Sequence, residues 1–158
     1  MFQRLAWGAF LPLSVGAFTY LFLRPKPAAF VVMLTRFNPL ESVLTRARSI
    51  TVRWGKALPE AWLAVLPDVT WAFAVGATLA IFWRGKESNV RFFWWTLGAF
   101  LTVGYELGQA LHWVSGTFDP RDLVAQGLGY ALGFVVFPSS ESLTGSAPNR
   151  ERIEAHHG

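Results

Sequence analysis

Acids and amides recur at fixed spacing inside the last apolar stretch of this chain, where a charged group is expensive. Tyr105-Glu106-Leu107-Gly108-Gln109 closes one hydrophobic segment, and Phe118-Asp119-Pro120-Arg121-Asp122 opens the next, which continues through Gln126, Gly129 and Gly133. A charge at membrane depth costs roughly 2.5–3.5 kcal/mol on insertion scales, so such groups face a partner or a polar cavity. Paired carboxylates can divide acid and base roles, or hold Mg²⁺ for a phosphate. Amides at the same height join helices by hydrogen bonds. The candidate site is therefore Glu106, Gln109, Asp119, Asp122 and Gln126, joined by Asp68 from an earlier segment.

The elements that carry these residues read as membrane helices. The chain is 158 residues long, 53% hydrophobic and 16% aromatic, with only 15% charged residues. A soluble domain carries about 25% charged residues. Eight Trp and fourteen Phe are too many for a small water-soluble fold to hide. The fold class expected is all-α, an integral membrane four-helix bundle with one amphipathic interfacial helix. The net charge of +4 does not point to nucleic acid, because the bases sit in loops flanking apolar spans. With no cysteine there is no disulfide or thiolate site, and His156 and His157 are too isolated for a metal. No cofactor motif is present.

One bundle is expected over residues 1–137, followed by a polar tail over 138–158. The spans fall at about 5–23, 67–83, 92–113 and 119–137. The first ends in Arg24-Pro25-Lys26-Pro27 and reads as an uncleaved anchor, with a kink or close contact at Pro12. Residues 28–35 are apolar but too short to cross. Asn38-Pro39 then starts a helix over 39–58, with Leu40, Val43, Leu44, Ala47, Ile50, Trp54 and Leu58 on one stripe. Arg46, Arg48, Arg53 and Lys56 lie largely off that stripe, so this helix lies in the headgroup region with its bases toward anionic lipid, or packs on a partner protein.

Small residues recur every fourth position, as Ala72/Gly76/Ala80, Gly104/Gly108 and Gly129/Gly133, which lets helices pack closely in lipid. At about 100° per residue, Thr102, Glu106, Gln109 and Trp113 share one side of the third span, with Gly104 and Gly108 opposite. The connection over 112–118 is short enough to force an antiparallel hairpin, which puts Glu106 and Gln109 level with Asp119, Asp122 and Gln126. A purely structural reading stands beside this one. Asp119-Pro120-Arg121-Asp122 is a helix start with Asp as cap. Glu106 lies too deep for capping, which leaves it for binding, proton-linked work or an ion pair with Arg121.

Orientation is read from the bases. Counting all of them favours the acids on the cytoplasmic side. The short connectors, Arg84-Gly85-Lys86 against the nearly uncharged Trp113–Phe118, favour the reverse, with both termini in the cytoplasm and the acids outside.

The run Glu106-x-x-Gln109, a short loop, then Phe118-Asp119-x-x-Asp122-Leu123-x-x-Gln126-x-x-Gly129-x-x-x-Gly133 resembles the signature of VanZ-like membrane proteins. That family takes its name from a protein implicated in teicoplanin resistance. The chain departs from the family at Thr117, usually Arg, and at Gln126, usually Asn, and keeps only Asp68 of the acidic, Lys and His pattern near the second helix. The resemblance implies a multi-pass protein of the bacterial cytoplasmic (inner) membrane. Together with the lack of a nucleophile–base pair, it suggests a non-catalytic lipid-binding protein or an accessory subunit of a larger membrane complex. Membrane lipids and other membrane subunits are the expected partners. The competing expectation is an enzyme or transporter that handles an amphiphilic cell-envelope precursor and is linked to glycopeptide resistance.

Overall fold

The computed structural model describes residues 1–24, 38–86, 88–114 and 117–138, with side chains from residue 42 onward in the second stretch. These residues form helices α1 (Phe2–Leu23), α2 (Asn38–Gly55), α3 (Glu60–Phe82), α4 (Asn89–Ala110) and α5 (Pro120–Val136), with no strand among them. Segment 28–35 and nearly all of the tail expected over 138–158 lie outside the described residues. Two helices, α1 and α3, are long and apolar enough to cross a membrane, with mean hydropathies of 1.5 and 1.6.

Helix α3 is the centre of the fold, packed against α1, α4 and α5. Its contact with α5 is the closest, because glycine and alanine let the backbones meet. Ala72, Ala77 and Ala80 are fully covered. A Cβ on Gly129 would stand 2.6 Å from the Val69 carbonyl oxygen, and one on Gly133 would stand 2.7 Å from that of Phe73. Gly76 meets the Tyr130 carbonyl in the reverse direction. Against α1, Gly16 faces Thr70 and the Pro67 backbone, while Gly8 faces Ile81 and Phe137.

The remaining small-residue pattern, Gly104 and Gly108, does a different job from the one its spacing suggests. A Cβ on Gly104 would meet only Phe100, one turn back on the same helix. Gly108 faces Val114, not another helix. The cause is the way α4 ends. His112 takes a left-handed conformation (φ 59°), its N–H donates to Gln109 O at 3.0 Å, and Trp113 N–H donates to Gly108 O at 2.8 Å. This paired closure is a Schellman turn, which folds the following residues back over the last helical turn. Val114 thus lands on Gly108.

Proline shapes both apolar helices. In α1 the bonding widens before Pro12, where Leu11 N–H reaches Ala6 O five residues back. Helix α3 begins at Glu60, well before the start at Pro67 that sequence suggests, and runs through that proline. Pro67 has no N–H to give Leu63 O. Arg24, at the end of α1, supplies the missing donors: Nε to Leu63 O at 3.1 Å and Nη2 to Ala64 O at 2.9 Å. The helix survives its proline because a neighbouring cation completes the ladder.

The end of α1 is capped in turn by α2. Arg48 donates to Leu21 O and, at 2.9 Å, to Arg24 O, while Thr51 Oγ1 donates to Phe22 O at 2.9 Å. These carbonyls have no partner within their own helix, and a cation there also complements the helix dipole. Gly55 lets α2 press against Leu23. Arg48 is thus turned inward, a correction to the reading that placed it on a lipid-facing basic side. Arg46, Arg53 and Lys56 remain exposed, beside an uncovered ridge of Val43, Ile50 and Trp54.

Candidate functional site

The polar residues gather where α3, α4 and α5 meet. Asp119 caps α5, its Oδ1 accepting from Arg121 N–H at 2.8 Å. Its own N–H points across the hairpin to Glu106 Oε2 at 3.4 Å, a long bond. Glu106 is only 7% exposed and Thr102, one turn earlier on the same face, is also buried. Thr102 closes its own hydroxyl onto Gly98 O at 2.7 Å, so it offers Glu106 nothing. Arg121 is exposed, and Glu106 turns to the Asp119 backbone instead of to that cation.

Asp68 joins the cluster from α3. The Gln126 amide lies within hydrogen-bonding reach of its carboxyl, and Asp122, Glu106 and Arg24 are close enough for their charges to act on it. Asp122 feels Asp119 and Arg24 in the same way. Gln126 is 5% exposed, and its Oε1 is buried with no hydrogen-bond partner; Gln109 Oε1 is in the same condition. An orphaned buried acceptor costs about 1–3 kcal/mol, so two of them beside buried carboxyls mark a place that lacks donors.

The cation of this site, Arg24, is one that sequence reading missed. It stacks over the Tyr20 ring at 5.1 Å while holding the Leu63 and Ala64 carbonyls. The available signal was Pro67, which guarantees a free carbonyl one turn earlier in any helix that continues through it. A cation at the end of the preceding span is a natural donor for it.

Asp68 is also where the polar cluster reaches the outside. It lines a groove of about 340 Å³ between α1 and α3, with Leu13, Tyr20, Leu21, Pro67 and Trp71. A second groove of about 290 Å³ shares Leu13 and Trp71 and continues along α3 and α4 past Thr78, Leu97 and Leu101. Both are almost wholly apolar. An amphiphile could lay a chain along them and bring its head to Asp68.

What the site can do follows from its inventory. It is rich in acceptors, and Arg24, the cation that acts on it among the described residues, already serves two carbonyls. Among the described residues no group of three His, Asp or Glu side chains comes together closely enough to hold a metal ion, so Glu106, Asp119 and Asp122 do not form a Mg²⁺ cage in this geometry. Comparison with known proteins found no matching family model, no matching curated protein and no matching solved structure.

Proposed function

We propose that this chain is a VanZ-like, multi-pass protein of the bacterial inner membrane that binds a lipid by its headgroup without transforming it. In this reading α1, α3, α4 and α5 all cross the bilayer, and α2 lies at the interface. The broad apolar exterior supports it: Phe10, Trp71, Phe100, Leu101, Val124, Leu128 and Val135 are all exposed on the four helices. Such a surface is stable only against hydrocarbon.

The observation that carries the reading is a pair of buried, unpartnered amide oxygens: Gln126 Oε1, on a side chain that reaches Asp68, and Gln109 Oε1, one turn beyond Glu106 on α4. A headgroup bearing N–H or O–H donors meets that need. Its chain is accommodated in the apolar grooves that start at Asp68. The test compares two lipids that differ only in donors, dioleoylphosphatidylethanolamine and dioleoylphosphatidylcholine, by native mass spectrometry of the protein in mild detergent. The ethanolamine lipid is expected to bind about tenfold more tightly, the ratio carried by one charge-assisted hydrogen bond. Gln126→Met and Asp68→Asn are expected to abolish the preference. Equal binding of the two lipids rejects the reading. Conversion of the bound lipid over time favours the enzyme instead, and a stoichiometric protein partner retained on purification favours the accessory subunit.

A further inference from the structure

The opposite end of α4 presents the reverse chemistry. Ser88 caps the helix, its Oγ accepting from Val90 N–H at 3.2 Å. Before it runs a connection carrying Arg84 and Lys86, and Arg91 follows within the first helical turn. Glu87 is the only acid in sequence between Asp68 and Glu106. This end is therefore cationic on balance.

Its donors are not satisfied. The Arg91 guanidinium lies over two rings, 5.1 Å from the Phe92 centroid and 4.9 Å from that of Trp95. Nη1 donates to Lys86 O at 3.3 Å, while Nε is buried with no acceptor. Trp95 Nε1 is likewise buried with no acceptor. Trp95 cannot easily turn away to find one. Tyr130 donates its hydroxyl proton to Trp95 O at 2.6 Å, and the indole packs edge-on against Phe134 at 4.9 Å and Phe92 at 5.6 Å. Lys86 Nζ stands 4.7 Å above the Phe82 ring, close enough to add a second positive charge.

Aromatic faces hold a cation but do not neutralise it. An oxyanion with several acceptor atoms does, and an arginine fork suits phosphate in particular. The surroundings say which phosphate. Phe82, Phe92, Phe93 and Trp94 are exposed around these donors, the kind of aromatic girdle that sits at headgroup height with its rings toward the acyl chains. Excess positive charge there favours anionic over zwitterionic lipid.

We infer that Arg91, Trp95 and Lys86 form a binding site for the phosphate of an anionic glycerophospholipid in the leaflet on this side. The Arg91 side chain, on its flexible stem, swings its unpaired Nε edge onto the phosphate. Trp95 Nε1 and Lys86 Nζ take further oxygens, and the exposed rings of Phe82 and Phe92 line the path of the acyl chains. This site shares no residue with the acidic cluster and does not depend on what that cluster binds.

The experiment titrates the full chain in mild detergent with dioleoylphosphatidylglycerol, with dioleoylglycerol as the phosphate-free match, and reads occupancy by native mass spectrometry. Arg91→Gln is expected to weaken phosphatidylglycerol about tenfold, and Trp95→Phe, which keeps the ring and removes only the N–H, about three- to fivefold. Arg91→Lys is expected to recover part of the loss, and dioleoylglycerol is expected to respond to none of these changes. Gly104→Ala, whose added methyl meets only ordinary contact with Phe100 and which lies in neither site, is the internal control and leaves phosphatidylglycerol binding as it was. Unchanged phosphatidylglycerol binding in both Arg91→Gln and Trp95→Phe overturns the site. Inorganic phosphate that displaces the lipid at equal concentration overturns the lipid assignment in favour of a free anion.

Discussion

The two ends of the bundle fail to satisfy their buried polar atoms in opposite senses. Where α4 meets α5, the orphans are acceptors, Gln109 Oε1 and Gln126 Oε1, set among carboxyl groups. Where α3 meets α4, they are donors, Arg91 Nε and Trp95 Nε1, set among bases and aromatic rings. Buried polar groups are almost always paired, so each orphan asks for something from outside the chain. The difference teaches that one apolar bundle can present a donor-seeking site at one end and an acceptor-seeking site at the other. A lipid headgroup contains both kinds of atom.

Both ends depend on the α3–α5 contact, and breaking it has the largest expected effect. Gly133→Ala drives a methyl into the Phe73 and Ala77 backbone, where neither side can yield as a flexible side chain would. Overpacking of this kind costs about 1–3 kcal/mol or more, and thermal unfolding in detergent should show a large drop with loss of both lipid preferences. Gly104→Ala is the matched control, since its methyl meets only ordinary contact with Phe100. It is expected to be neutral or to stabilise α4 by about 0.5–1 kcal/mol through helix propensity. Equal losses in the two variants would mean that Gly104 packs on another helix after all.

A smaller effect, confined to the acidic end, separates the two sites. Arg24→Met removes the donors to the Leu63 and Ala64 carbonyls and the cation nearest Asp68 and Asp122. The expected destabilisation is about 2 kcal/mol, the range for hydrogen bonds from a charged group. Pro67→Ala restores the donor that the helix lacks. The same Arg24→Met change should therefore cost about 1 kcal/mol less in a Pro67→Ala background, and a double-mutant cycle measures that coupling. Additive effects would show that Arg24 does not act through the proline. Phosphatidylglycerol binding at the far end should stay unchanged throughout.

These cases also show what could be read from the chain before its structure. The short connection after α4 and the Asp119-Pro120 start of α5 are local signals, so the hairpin and its row of polar residues were legible. The α3–α5 glycines were legible as a pattern, but not which stripes would meet: Gly104 and Gly108 carry the same spacing as Gly129 and Gly133 and face no other helix. Arg24 was illegible because its partners are backbone carbonyls far along the chain, exposed only when α3 continues through Pro67. Arg48 was misread for the same reason, since helical periodicity places it on a face but says nothing of a neighbouring helix end that needs capping. The orphan donors of Arg91 and Trp95 carry no signal in the sequence, since only packing reveals that they lack acceptors.

The smallest expected effect bears on the turn that delivers α4 to the acidic end. His112 closes the helix in a left-handed conformation that glycine adopts without penalty and other residues adopt at about 1–2 kcal/mol. Glycine also frees the unfolded chain, which offsets part of the gain. His112→Gly should then stabilise the protein by about 0.5–1 kcal/mol, read as a rise in melting temperature, with the ethanolamine-over-choline preference untouched. The side chain is exposed and lies just beyond the last turn that carries Gln109, so the measurement discriminates. A gain in stability with intact preference makes His112 a poor turn residue that the fold tolerates. A lost preference would make its imidazole a member of the acidic site, and the strained turn would then be the means of holding a titratable ring beside it.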